Sequence, residues 1–177
     1  NDVAISDDGN TVANGAITIT TSPGNVKVYY WDTTLNPPDW SPKGTIAAEG
    51  TRWGIQLRMS GDGNTLSVAD TNGSYINPGS SGYLVWVYDY DSGTNTWSKR
   101  GNTYVVAGSN VAHGHQHFLS NDGLRLVSSL RQGNYCYAYE WNGSSWSVLG
   151  GNISYGTDTT SRVVRMSKDG NTITTVN

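Results

Sequence analysis

Ser60-Gly61-Asp62-Gly63-Asn64-Thr65 decides how this chain is read, because it recurs. The same corner stands at Ser6-Asp7-Asp8-Gly9-Asn10-Thr11, at Ser120-Asn121-Asp122-Gly123 and at Ser167-Lys168-Asp169-Gly170-Asn171-Thr172, with the glycines 54, 60 and 47 residues apart. Asp-Gly is a hairpin signal, since glycine takes the positive φ that such a tight turn demands. Ile55, Leu57 and Met59 alternate before the corner, and Leu66 and Val68 alternate after it. That pattern predicts strand, turn, strand.

Working outward, a second block repeats after each corner: Val26 to Asp32, Val85 to Asp91 and Cys136 to Asn142, each rich in Val and Tyr. It predicts a third strand. Superposed, the copies put Val26, Val85 and Cys136 with Val28, Val87 and Ala138 on one face. The other face carries Lys27, Trp86 and Tyr137, then Tyr29, Tyr88 and Tyr139, then Trp31, Tyr90 and Trp141. A sheet with slender aliphatics on one side and large rings on the other has two faces to bury, so it needs a neighbour on each side. A Trp with a Gly four positions later closes each unit, Trp40 with Gly44, Trp97 with Gly101 and Trp146 with Gly150, and marks a fourth strand. Four strands in roughly 50 residues is the arithmetic of a β-propeller blade.

The expected fold is therefore all-β, with blades of four antiparallel strands and about three and a half repeats, part of a larger propeller. Blade 1 is expected over residues 1–50, blade 2 over 51–108, blade 3 over 109–158, and the first strands of blade 4 over 159–177. Closed propellers have about four to eight blades. Three and a half would leave faces open, to be covered by remaining blades of the same polypeptide or by another chain.

Composition narrows the class further. The 177 residues hold seven Trp, eleven Tyr, one Phe and 22 Gly, a mixture that suits short strands joined by tight turns. A net charge of -3, with 14% charged residues, leaves no basic field for a phosphate backbone, so nucleic acid is not an expected partner. No stretch approaches the roughly 18 apolar residues of a membrane span. The single cysteine, Cys136, forms no internal disulfide, and its spacing to strand neighbours predicts a small buried side chain.

The order of apolar strand, Ser-x-Asp-Gly corner, second strand, Val-x-Val-Tyr-x-Trp and Trp-x-x-x-Gly resembles the FG-GAP and WD-repeat-like propellers of secreted and cell-surface proteins. The resemblance covers nearly the whole chain. It implies an extracellular, cell-surface or lumenal location. It also implies that the strand before each corner is innermost in its blade: Val3 to Ser6, Ile55 to Ser60, His115 to Ser120 and Arg162 to Ser167. Calcium-binding blades of that kind use several Asp at alternate positions, and a hard cation needs six to eight oxygens. Each corner here offers at most two adjacent carboxylates, Asp7 and Asp8 in the first copy, so calcium sites are not carried over.

His113-Gly114-His115-Gln116-His117 is the sharpest local oddity, because alternate residues of a strand project from one face. Three imidazoles there could hold zinc or copper. Alignment within the chain sets His113, His115 and His117 against Trp53, Ile55 and Leu57, which are packing positions, and no acidic or sulfur ligand lies nearby in sequence. The plainer reading is a channel lining or an interblade filling. The carboxylates Asp32, Asp39, Asp70, Asp89, Asp91, Glu140 and Asp158 read as turn and strand-end residues, and no nucleophile elbow, phosphate loop or His-Glu-x-x-His helix appears. Neither cofactor nor catalytic residue is expected on these grounds.

Three sequons, at Asn72, Asn142 and Asn152, could accept glycan in a secretory pathway. The longest insertion, Thr71 to Gly82, carries Tyr75 and suits recognition. The leading expectation is a non-catalytic module, structural or protein-binding, in a larger extracellular or lumenal assembly. The second is a lectin-like propeller whose exposed Trp and Tyr stack on sugars. A scaffold predicts Trp31, Trp40, Trp97, Trp141 and Trp146 between blades, whereas glycan binding predicts them at the surface.

Overall fold

The computed structural model describes residues 2–16, 25–47, 54–70, 84–101, 113–130, 135–154 and 163–176, apart from the side chains of 70, 113–115, 130 and 176. All regular structure in these residues is antiparallel strand. β1 (Val3–Ile5), β2 (Thr11–Ala16), β3 (Asn25–Asp32) and β4 (Asp39–Ala47) form one four-stranded sheet in chain order. β5 (Gln56–Met59), β6 (Thr65–Asp70), β7 (Leu84–Asp91) and β8 (Thr96–Lys99) form the second. The third holds β9 (His113–Leu119), β10 (Arg125–Leu130), β11 (Tyr135–Trp141) and β12 (Trp146–Val148). β13 (Ile153–Ser154) continues its outer edge along β11. β14 (Val163–Met166) and β15 (Ile173–Val176) pair as the inner half of a fourth. These are propeller-type blades, and the inner strands β1, β5, β9 and β14 touch one another in succession.

Each corner is built identically, for reasons its residues supply. In the first, the Ser6 hydroxyl donates to Asp8 Oδ1 at 2.6 Å and accepts the Thr11 N–H at 2.9 Å. Asp8 Oδ1 also accepts the Asn10 N–H at 2.9 Å. Gly9 sits at φ 75° and closes the turn onto the Ser6 carbonyl. Serine, aspartate and glycine are therefore each required by a different bond of one turn.

The blades stack as the two-faced third strand demands. Ala4, Ala13, Val26, Val28 and Ile46 of blade 1 pack on Leu57, Leu66, Val68, Trp86 and Tyr88 of blade 2. Ala69, Val85 and Val87 on the other side of blade 2 meet Leu126 and Tyr139 of blade 3. Val127 and Cys136 of blade 3 meet Val164 of blade 4. Truncating one such buried residue, Leu57→Ala for instance, costs about 2–5 kcal/mol because the neighbours close the cavity only in part.

Three cross-strand aromatic pairs mark the outer hairpins: Trp31 with Trp40, Tyr90 with Trp97 and Trp141 with Trp146, at centroid separations of 5.4, 5.3 and 5.7 Å. The glycine after each Trp makes room for the next pair. A Cβ on Gly44 would lie 3.1 Å from the Trp97 ring, and one on Gly101 would lie 3.2 Å from Trp141. Among the described residues nothing lies within 4 Å of the place a Cβ on Gly150 would take.

One expectation fails here. Trp31 and Trp40 are not held between blades but stand 39% and 40% exposed, since none of the described residues forms a blade against the aromatic face of blade 1. Trp97 and Trp146 do pack against the preceding blade.

Candidate functional site

Aligning the inner strands on their corner serines sets Ala4, Arg58, Phe118 and Arg165 at one position, two residues before Ser6, Ser60, Ser120 and Ser167. The preceding residues Leu57, His117 and Val164 are buried on one face of their strands, so the alternation puts Arg58, Phe118 and Arg165 on the other face, where Phe118 packs against the core between blades 3 and 4. The three side chains meet. The Arg58 guanidinium lies 4.7 Å from the Phe118 ring centroid and that of Arg165 lies 4.8 Å from it. Each contact is a cation–π attraction worth about 0.5–1 kcal/mol when exposed.

The two arginines differ in how their charge is met. Arg58 Nη1 pairs with Asp2 Oδ2 at 3.0 Å and donates to the Leu57 carbonyl at 2.6 Å. Asp2 Oδ2 also accepts the Leu57 N–H at 2.9 Å, which fixes the pair across blades 1 and 2. Arg165 Nη1 instead donates to Gln116 Oε1 and to the Val164 carbonyl, both at 2.9 Å. Among the described residues no carboxylate pairs with it. The row thus presents two cations against one anion, with the amide of Gln116 beside the unneutralised one.

At the corner end the axis is tied across. A ladder runs from the Asp7 N–H to the Gly61 carbonyl at 3.0 Å, from Gly61 to Asn121 at 2.8 Å and from Asn121 to Lys168 at 2.7 Å. Asp7 Oδ1 then pairs with Lys168 Nζ at 2.7 Å, and its other oxygen accepts from the Asn121 amide. The Lys168 and Asn121 bonds hold the Asp7 carboxyl below its usual range. Gly61 is small for this reason, since a Cβ there would lie 2.8 Å from Asn121 Nδ2 and 3.1 Å from Asp7 Oδ2.

The histidine strand splits. His117 is fully buried between blades 2 and 3, where its Nε2 shares a 2.9 Å hydrogen bond with Ser67 Oγ. Burial, with the nearby Arg58 charge, pushes its pKa down to about 3, so the ring is neutral. A His–Ser contact suggests nucleophilic catalysis, but Ser67 is equally buried and no substrate reaches either. The side chains of His113 and His115 lie outside the described residues, and no cluster of three metal-ligating side chains occurs among those described. Asn142 and Asn152 are exposed, while Asn72 and the Thr71 to Gly82 insertion lie outside the described residues.

Sequence reasoning passed over Arg58, Phe118 and Arg165. The available signal was register: charged residues recur at one position of otherwise apolar inner strands, visible only once the corners are superposed.

No family model matches this chain, and no curated protein does. Solved structures do resemble it. KlAtg21 in complex with the coiled coil of AgAtg16 is 12% identical at a TM-score of 0.61, over 97% of this chain and 48% of that one. A candidate 6-phosphogluconolactonase from Bacteroides fragilis is 17% identical at 0.57, over 86% and 38%. TolB from Acinetobacter baumannii is 14% identical at 0.54, over 99% and 37%. This chain spans less than half the length of each.

Such identities speak for the fold alone, yet they correct one expectation. The non-catalytic reading, with its structural and lectin-like forms, took the lack of a recognised motif as lack of an enzyme. The same fold is found in a chain named for a lactonase activity, so that inference does not stand.

Proposed function

We propose that this chain is part of a propeller hydrolase that opens a sugar lactone, with the Arg58, Phe118 and Arg165 row as the surface that meets substrate. The observation that carries this reading is Arg165, an exposed guanidinium on the inner strands with no carboxylate partner among the described residues. The likeness in fold to a candidate 6-phosphogluconolactonase supports the choice of reaction.

In lactone hydrolysis water adds to the carbonyl carbon, the ring carbon–oxygen bond breaks, and the resulting acid releases a proton. Negative charge gathers on the carbonyl oxygen in the transition state. A donor already aimed at that oxygen is worth about 10²–10³ in rate, because it need not reorganise as charge develops. Arg165 supplies that donor. Arg58, locked by Asp2, steadies Phe118 and adds to a positive field that favours an anionic substrate.

The test is proton release in a pH-stat with glucono-δ-lactone and with its 6-phosphate. We expect turnover above the spontaneous rate, with Arg165→Gln lowering kcat/KM about 100-fold. Proton release no faster than in buffer, or an Arg165→Gln protein as active as the unmodified one, overturns the reading. An extracellular, cell-surface or lumenal location goes with it. In that setting Asn142 and Asn152 are the exposed positions for glycan, detected as a mass loss on enzymatic deglycosylation of protein from its source.

A further inference from the structure

The first two blade junctions bring the same three positions together and fill them with opposite chemistry. At the first, Ala13 of blade 1 packs with Leu57 and Val68, cross-strand partners on β5 and β6, and all three are fully buried. Counted from the corner glycines Gly9, Gly63 and Gly123, the matching residues of the second junction are Ser67 of blade 2 with His117 and Ser128, cross-strand partners on β9 and β10. These are fully buried too. An apolar trio at one junction becomes two hydroxyls and an imidazole at the next.

The protein itself meets that polarity in part. His117 Nε2 shares its 2.9 Å bond with Ser67 Oγ, whose hydroxyl donates to the Arg58 carbonyl at 3.3 Å. With the serine proton given to Arg58, the serine oxygen accepts from Nε2–H, and the neutral ring is left with Nδ1 as a bare acceptor. Among the described residues Nδ1 has no partner, and neither has Ser128 Oγ. Directly opposed residues of an antiparallel pair carry their Cβ atoms about 4.5–5.5 Å apart on one face of the sheet, so the two unpartnered atoms share a side of blade 3. That side is turned to blade 2, because His117 meets Ser67 there. A buried polar atom without a hydrogen bond is unfavourable, and an ordered water relieves it where the site is polar and supplies two or more partners.

We propose that a water molecule is bound inside the second blade junction, between His117 Nδ1 and Ser128 Oγ. It donates one proton to Nδ1 and forms its second hydrogen bond with the Ser128 hydroxyl. A continuous polar chain then runs from the Arg58 carbonyl through Ser67, His117 and the water to Ser128. It ties β6 to β10 through β9, the strand that carries Gln116 and Phe118 on either side of His117. Nothing in this requires the protein to turn over a lactone.

High-resolution crystallography of the unmodified chain tests the site, with density expected for one water about 2.7–3.2 Å from both atoms. Nitrogen-15 NMR of the His117 ring is expected to place the proton on Nε2 and leave Nδ1 bare. In solution, oxygen-17 relaxation dispersion is expected to lose the amplitude of one long-lived water in the paired variant His117→Leu with Ser128→Val, which installs the residues of the first junction. Circular dichroism checks that this variant folds. A direct bond from Ser128 Oγ to Nδ1, or a junction without density between the two atoms, overturns the proposal. So does a proton on Nδ1, and so does a folded paired variant that keeps the full relaxation amplitude. Should the paired variant not fold, the density and the ring proton, both read on the unmodified chain, decide alone.

Discussion

The first two blade junctions and the third hold their blades by the same means but from different strands. At the first, Lys43 on β4 is buried and donates to the Gly63 carbonyl at 2.9 Å and to Asn64 Oδ1 at 2.8 Å, while lying 4.7 Å from the Tyr90 ring centroid. At the second, Arg100, just after β8, donates to the Gly123 carbonyl, to Thr65 Oγ1 at 3.0 Å and to the Asp89 carboxylate. At the third, the matching position is Leu149, 40% exposed. The cation comes instead from β10, where Arg125 replaces the threonine of the other blades, pairs with Glu140 at 3.0 Å and reaches Asn171. What recurs is a positive charge on the next corner, whichever strand delivers it. The junctions also differ in their inner filling, which is Leu57, then His117, then Val164.

That second difference offers the largest effect. His117 has a folded pKa of about 3 against 6.5 when free. The folded form resists protonation, so its full stability is present above pH 6.5 and is lost as pH falls toward 3, while the unfolded chain binds the proton. At about 1.4 kcal/mol per pH unit the loss is on the order of 4 kcal/mol by pH 3. His117→Leu, which borrows the residue of the first junction, is expected to remove most of that slope in urea unfolding measured from pH 7 to pH 3. An unchanged slope would show that this imidazole is not the acid-labile filling.

Arg100→Met comes next. It takes the Arg100 donors from the Gly123 carbonyl and from the Asp89 carboxylate, which keeps the Thr65 hydroxyl, and a loss of about 2–3 kcal/mol at pH 7 is expected by chemical unfolding. A loss below about 0.5 kcal/mol, the scale of an exposed pair, would mean that packing alone holds the second junction. The paired change Arg125→Thr with Leu149→Lys sharpens the comparison. It rebuilds the third junction on the plan of the first, so the double variant is expected within about 1 kcal/mol of the unmodified protein and above Arg125→Thr alone. Thermal unfolding of the three proteins measures this. Equal stability of the single and double variants would break the equivalence.

The smallest effect belongs to the corners at the two ends. The Ser6 hydroxyl and the Asn10 N–H hold Asp8 below 3.8, and Ser167 with Asn171 does the same for Asp169. A depressed carboxylate contributes stability that is complete above pH 3.8 and lost as pH falls through its folded value. Asp8→Asn and Asp169→Asn are therefore expected to flatten the acid limb slightly below pH 4, with no change in its position above pH 5. Unfolding midpoints across that range decide it.

Much of this was legible along the chain, because a tight turn and a two-faced strand are local facts. The Ser-x-Asp-Gly corner specifies its own hydrogen bonds within six residues, and alternation of Val with Tyr or Trp states that both faces must be buried. The blade architecture follows from those two patterns. The Arg58, Phe118 and Arg165 row was not legible. These residues are about 50 apart in sequence, and nothing local distinguishes an arginine laid against a ring of the next blade from one in solvent.

By itself, the sequence determined the repeat, the strand order within a blade and which face of each third strand is slender. Tertiary structure alone decided that His117 is sealed while Arg165 is open, that Gly61 clears the way for Asp7 to meet Asn121, and that Trp31 and Trp40 stand uncovered. The physical reason is range. Turn geometry and side-chain alternation act over a few residues, whereas burial, pKa and charge pairing depend on what an adjoining blade brings to within a few ångströms.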